Sequence, residues 1–120
     1  MRTLTITLNP DWKAALRQAG AKARTGLRSG RYAGEFLNFE SPAQLFGKLT
    51  ERRWALVRAL QGAGPMSGRE AARRIGRDPK RVHEDLQVLI ALGLIEKQAD
   101  GAIVCSFDDI AVDMHLRVAA

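Results

Sequence analysis

Apolar positions recur along the chain with two different periods, and the switches between them mark its elements. Residues 2–8 read RTLTITL, with Leu4, Ile6 and Leu8 on one side and Thr3, Thr5 and Thr7 on the other, which predicts a strand with one wet face. Asn9 as an N-cap and Pro10 at the first helical position then predict a helix over about residues 10–24, with Trp12, Leu16, Ala19 and Ala23 on its core stripe. The stretch TGLRSGRYAG carries Gly26, Gly30 and Gly34 and reads as a flexible basic loop, and the run Glu35 to Glu40, with Phe36, Leu37 and Phe39, as a short second strand. Ser41, Pro42 and Gln44 form a capping box that opens a short helix through Leu45 and Leu49.

Three further helices follow from caps and stripes. Thr50 caps a helix to about Gln61 that buries Trp54, Val57 and Leu60, and Gly62, Gly64 and Pro65 end it. Ser67 and Glu70 make a second capping box for a helix over about 68–75, with Ala71, Ala72 and Ile75 inward and Gly76 as its stop. Asp78 caps and Pro79 opens the next, whose Val82, Leu86, Leu89 and Ile90 share one stripe as far as Gly93. Leu94 to Lys97, an Asp100-Gly101 turn and Ala102 to Phe107 predict a β-hairpin. Ile110, Val112, Met114, Leu116 and Val118 then alternate with polar or small residues, which predicts a long amphipathic terminal strand.

Composition bounds the class. At 120 residues and 46% hydrophobic content the chain supports one domain, or one domain with an appendage, and is not disordered throughout. Its apolar runs are far below the roughly 18 to 20 residues that span a bilayer. The amino terminus lacks the apolar core of a signal peptide, so a cytoplasmic location without membrane association is expected. A single cysteine, Cys105, with only His83 and His115 as histidines, excludes a disulfide scaffold and offers no zinc-ligand spacing. No nucleophile with a matching base can be assembled, and Asp108, Asp109 and Asp113 lack convergent histidines, so neither enzyme activity nor a cofactor is expected.

Charge sharpens this picture. The net value is +6, and residues 1–34 carry seven basic groups against Asp11 alone. Residues 69–81 hold six more (Arg69, Arg73, Arg74, Arg77, Lys80, Arg81) against Glu70 and Asp78, whereas residues 86–120 hold two basic and five acidic groups. Clusters of this kind attract a polyanion, because neutralising phosphates releases condensed counterions.

Helices joined by the tight Gly76-Arg77-Asp78 turn and followed at once by a hairpin have the order of a winged helix-turn-helix. The segment MSGREAARRIGRDPKRVHEDLQVLIALGLIEKQADGAIV, residues 66–104, resembles that of bacterial and archaeal transcriptional regulators of the MarR and ArsR type. The shared pattern is a Ser-capped helix with central Ala-Ala, Ile-Gly at its end, Val, Leu and Leu along the second helix, and Gly-Leu-Ile leading into the wing. The strand-helix-strand at the amino terminus, the FESPAQLF segment and the terminal strand also resemble small prokaryotic predicted DNA-binding regulators, some of them antitoxin-like. These resemblances imply an α+β winged helix-turn-helix whose second helix reads DNA.

Helical geometry agrees with the first resemblance. With Val82, Leu86 and Leu89 inward, a 100° step per residue puts Lys80, Glu84 and Gln87 on the opposite side, flanked by Arg81 and His83. Lys80 and Arg81 suit guanine edges or phosphates, Gln87 suits adenine, and Glu84 suits cytosine or a pairing with Lys80. Ser67 and Gly68 sit at a helix start that welcomes phosphate, and Arg69, Arg73, Arg74 and Arg77 are placed for further phosphate contacts. The wing tip, Gln98 to Gly101, has no basic residue except Lys97 at its base, so the wing is expected to brace the helix.

The expected organisation is a strand-helix-strand extension over 1–40, a winged helix-turn-helix over 41–107 and a terminal strand over 108–120. The expected function is a sequence-specific repressor that binds double-stranded DNA as a homodimer, since a reader this small needs two recognition helices about 34 to 36 Å apart. Strands 2–8 and 110–118 are the expected dimerisation element. The competing reading is an antitoxin that binds a toxin through its basic amino-terminal third and autoregulates its operon.

Overall fold

The computed structural model describes residues 1–11, 13, 14, 16–18, 20, 21, 34–116 and 118. The protein is α+β and divides into two units, Met1–Gly47 together with Asp109–Ala120, and Lys48–Asp108. The segments at the two ends of the chain therefore form one unit, and the terminal strand is not a separate appendage. The basic loop over residues 25–33, Trp12, Ala19, Ala23 and most of the basic groups of that third lie outside the described residues.

The first unit is organised by a parallel three-stranded sheet of β1 (Thr3–Leu8), β2 (Glu35–Phe39) and β5 (Asp109–Asp113), in the order β2-β1-β5. Leu4 pairs with Glu35 and Ile110, and Ile6 with Leu37 and Val112, so the alternating side chains of all three strands fall on shared faces. Leu4 and Ile6 are buried. This corrects the expectation that β1 is part of the element that pairs two copies: both of its edges are already hydrogen-bonded, to β2 and β5, and its apolar side chains Leu4 and Ile6 are not exposed.

The terminal strand also stops at Asp113, well short of Val118. Thr7 pairs with Asp113, and two residues later β1 gives way to Asn9-Pro10, where the Asn9 N–H turns to Phe39 O at 2.9 Å. Beyond Asp113 the chain has no neighbouring strand of its own among the described residues. A further correction concerns the first helix. Its cap is Asp11, whose Oδ1 accepts from the backbone N–H groups of Lys13 and Ala14, while Asn9 Oδ1 accepts from the Asp11 N–H. Residues 13, 14, 16–18, 20 and 21 are helical, and Leu16 is 62% exposed instead of buried on a core stripe. Helix α1 (Pro42–Lys48) begins as expected, with Ser41 Oγ accepting from Gln44 N–H and Gln44 Oε1 accepting from Glu40 N–H.

The second unit holds α2 (Glu51–Leu60), α3 (Gly68–Ile75), α4 (Pro79–Leu92) and the antiparallel pair β3 (Glu96–Lys97) and β4 (Ile103–Val104). Thr50, Ser67 and Asp78 each accept a hydrogen bond from the backbone N–H three residues on, satisfying helix-start donors. Helix α3 ends at Gly76, whose φ of 65° is left-handed backbone that a side chain resists, and Arg77 N–H closes the motif on Ala72 O at 3.0 Å. The core is built from Leu56, Val57 and Leu60 of α2, Ala71 and Ala72 of α3, and Val82, Leu86 and Leu89 of α4, completed by Leu94, Ile95, Ile103, Cys105 and Phe107. Trp54, Ile75 and Ile90, expected inside, are half-buried.

The hairpin strands are two residues long, shorter than expected, and a third segment pairs with β4. Met66 and Ile103 exchange both backbone hydrogen bonds, at 3.0 and 2.7 Å, and Met66 is buried. This pairing ties the residue just before the α3 cap to the hairpin.

Candidate nucleic-acid interface

The starts of α3 and α4 meet in one groove of about 490 Å³, lined by Ser67, Gly68, Arg69, Pro79, Lys80 and His83. Two features of the sequence bring them together. The stop at Gly76 and the cap at Asp78 leave only a short turn between the helices. Gly68 lets the first turn of α3 come close to α4, since a Cβ there would stand 3.3 Å from Leu86 Cδ1. Both helix starts also carry unsatisfied N–H groups and the positive end of the helix dipole.

The exposed and buried sides of α4 divide as its stripe predicts. Lys80, Arg81, His83, Glu84 and Gln87 are exposed, whereas Val82, Leu86 and Leu89 are fully buried. Among the described residues Arg69, Lys80, Arg81 and Lys97 form no ion pair, so their charges are uncompensated at short range. Glu84 makes no pair with Lys80. Gln87 lies away from the groove, on a shallower concavity of about 280 Å³ with Lys48, Val88, Ala91 and Leu92. Lys97 lies in β3, opposite Ile103, and the hairpin tip from Gln98 to Gly101 is exposed.

Three of the arginines anticipated as phosphate contacts are already engaged. Glu70 Oε1 accepts from Arg73 Nη2 at 2.5 Å and from Arg74 Nε at 3.0 Å, and Glu70 Oε2 accepts from Arg73 Nε at 2.8 Å. Hydrogen bonds from Arg73 and Arg74 hold the Glu70 carboxyl down at about 2. Glu70 thus does not complete the capping box with Ser67: two guanidinium groups attract its carboxylate more strongly than one backbone N–H does. Arg77 donates from Nη2 to Asp85 Oδ2 at 2.6 Å, and Arg53 donates from Nε to Asp85 Oδ1 at 3.0 Å and from Nη1 to Lys48 O at 2.9 Å. Burial pushes the Asp85 carboxyl up, but hydrogen bonds from Arg77 and Arg53 outweigh it and leave the group below the usual carboxylate range. Arg77 is therefore a fixture of the turn between α3 and α4 more than a free cation.

Arg53, Asp85 and Met66 were not singled out from the sequence, and Pro79 was read there only as a helix opener. Asp85 carries a legible signal, because a carboxylate between Val82 and Leu86 lies at the margin of a buried stripe and calls for a cation. Nothing local identifies Arg53, 32 residues away, as one of its partners.

No group of three or more His, Cys, Asp or Glu that could hold a metal occurs among the described residues, and no described helix is long and apolar enough to cross a membrane. No curated protein and no solved structure matches the chain. A family model described as HVO_A0114 matches residues 48–112, which takes in α2 to β4 and four residues of β5, just over half of the sequence. By that match the chain belongs to the HVO_A0114 family.

Proposed function

We propose that the protein is a sequence-specific repressor of transcription that binds double-stranded DNA as a homodimer, with residues 48–108 as a winged helix-turn-helix and α4 as the recognition helix. The observation that carries this reading is the groove at the joined starts of α3 and α4, where uncompensated Arg69 and Lys80 flank exposed backbone N–H groups. A DNA phosphate in that groove would meet helix-dipole charge, amide donors and two cations together. Arg81, Glu84 and Gln87 then follow along the exposed side of α4, a mixture of donor and acceptor groups of the kind that discriminates base edges in the major groove. The exposed hairpin tip carries Asp100 and no cation, which favours bracing over minor-groove insertion.

The test is footprinting on the DNA upstream of the protein's own coding sequence, followed by titration of the protected duplex and an unrelated duplex across a salt series. A repressor protects a discrete site and binds it at least about 10³-fold more tightly than the unrelated duplex. Equal affinity for both duplexes overturns sequence-specific reading, and no binding to either overturns the interface.

A further inference from the structure

The described residues leave one row of large apolar side chains in solvent at regular spacing. Val112 is 47% exposed, Met114 44%, Leu116 103% and Val118 97%. They lie on β5 and its continuation. β5 is an edge strand, paired with β1 on one side and with nothing among the described residues on the other. The opposite edge strand, β2, shows no such row: Leu37 is half-buried and Phe39 buried. An open edge that continues into an alternating apolar run is a template for another strand.

The segment's own pattern identifies that strand. When two copies of a strand pair antiparallel about a twofold axis, each residue n places before the centre meets the residue n places after it on the partner. Centred on Met114, Val112 meets Leu116 and Ile110 meets Val118, while Asp113 meets His115. Every large apolar side chain of the run is then opposite another, and the acid is opposite an imidazole. Within one copy Asp113 Oδ1 and His115 Nε2 already stand 2.7 Å apart, so the two are chemically matched. The neighbouring registers match less of the run. Centring on Asp113 sets two carboxylates against each other, centring on His115 sets two imidazoles against each other and leaves Ile110 opposite Ala120, and centring on Val112 places Leu116 opposite Asp108 and Val118 opposite Ser106.

We infer that a second copy of this chain pairs with residues 110–118 in an antiparallel register centred on Met114, joining two three-stranded sheets into one of six strands. The inference deepens the homodimer element of the proposed function and rests on that element alone. It replaces the broader expectation that both terminal strands dimerise, because β1 is enclosed by β2 and β5.

The experiment uses the full chain with Cys105→Ala, carrying single cysteines and mild oxidation. At the centre of a twofold ladder a residue faces its own copy, with Cα atoms about 4.5 to 5.5 Å apart, which a disulfide accepts. Met114→Cys is expected to form a covalent dimer. Val112→Cys and Leu116→Cys are each expected to stay monomeric on a non-reducing gel, and an equal mixture of the two to cross-link. Cross-linking by Asp113→Cys or Val112→Cys alone, with none at 114, overturns the register. A monomer by light scattering at micromolar concentration overturns the pairing itself. Leu116→Asp is expected to convert the dimer to a folded monomer with an unchanged circular dichroism spectrum, and an unaffected dimer would again overturn the inference. None of these readouts involves DNA, so a failed footprint with a successful cross-link rejects the repressor and keeps the dimer.

Discussion

Arg77 donates from Nη2 to Asp85 Oδ2 at 2.6 Å across the turn that joins α3 to α4. The opposite oxygen of the same carboxylate is taken by Arg53 of α2 at 3.0 Å, and side-chain exposures of 20%, 14% and 21% for Arg53, Asp85 and Arg77 place the triad at the margin of the core. One carboxylate thus pins α4 to α2 and to its own leading turn. Asp85→Ala takes the shared carboxylate away from two partly buried guanidinium groups, although Arg53 keeps its bond to Lys48 O, and is expected to destabilise the unit by about 2–4 kcal/mol, less than for a fully buried pair because all three groups keep an edge to water. Urea unfolding checks this: the midpoint should fall with an unchanged slope. Replacing all three residues with Met or Leu is expected to recover most of the loss.

The same carboxylate and Glu70 set the acid limit. Both titrate below their unfolded values, so the stability each contributes is present above the unfolded carboxylate range near pH 4 and is lost as pH falls through the folded value. For Glu70 the window is about pH 4.5 down to about pH 2. Thermal melts of the wild type should flatten above pH 5 and drop below about pH 4, and Asp85→Asn should remove part of that drop.

Glu70 also occupies two arginines on the exposed side of α3. Glu70→Gln should release both toward phosphates, raising affinity for all duplexes alike and steepening the salt dependence. Arg69→Ala and Lys80→Ala should each reduce the salt slope by about one, uniformly across sequences. Glu84→Ala and Gln87→Ala should instead leave the slope nearly unchanged and relax discrimination at one base pair each, by about 1–3 kcal/mol. A salt titration on site and non-site duplexes separates the two behaviours.

Two glycine substitutions should have opposite signs. Gly76→Ala forces a side chain into a backbone with φ of 65°, which costs about 1–2 kcal/mol although the space around it is open. Gly47→Ala, inside α1 and equally unobstructed, should stabilise by up to about 1 kcal/mol through helix propensity. Paired melts of the two variants check this directly.

What was legible before folding is what spans a few residues. Ser67, Asp78 and Thr50 bond to backbone three positions on, Gly76 and Gly93 end helices where they stand, and the stripe of Val82, Leu86 and Leu89 follows from the helical repeat alone. Those features located the groove formed by Ser67, Gly68, Arg69, Lys80 and His83. Features whose partners are distant in sequence were settled only when the chain folded. Strand β1 became the centre of a parallel sheet because segments more than 25 and 100 residues away pair on its two sides. The alternation past Asp113 did not become strand within one copy, since a strand needs a neighbour and β1 ends at Leu8. Arg77 turned from free cation to fixture because Asp85 and Arg53 converge on it. Local hydrogen bonds and periodicity are properties of a short segment, whereas pairing and charge compensation depend on which distant groups are left to satisfy one another.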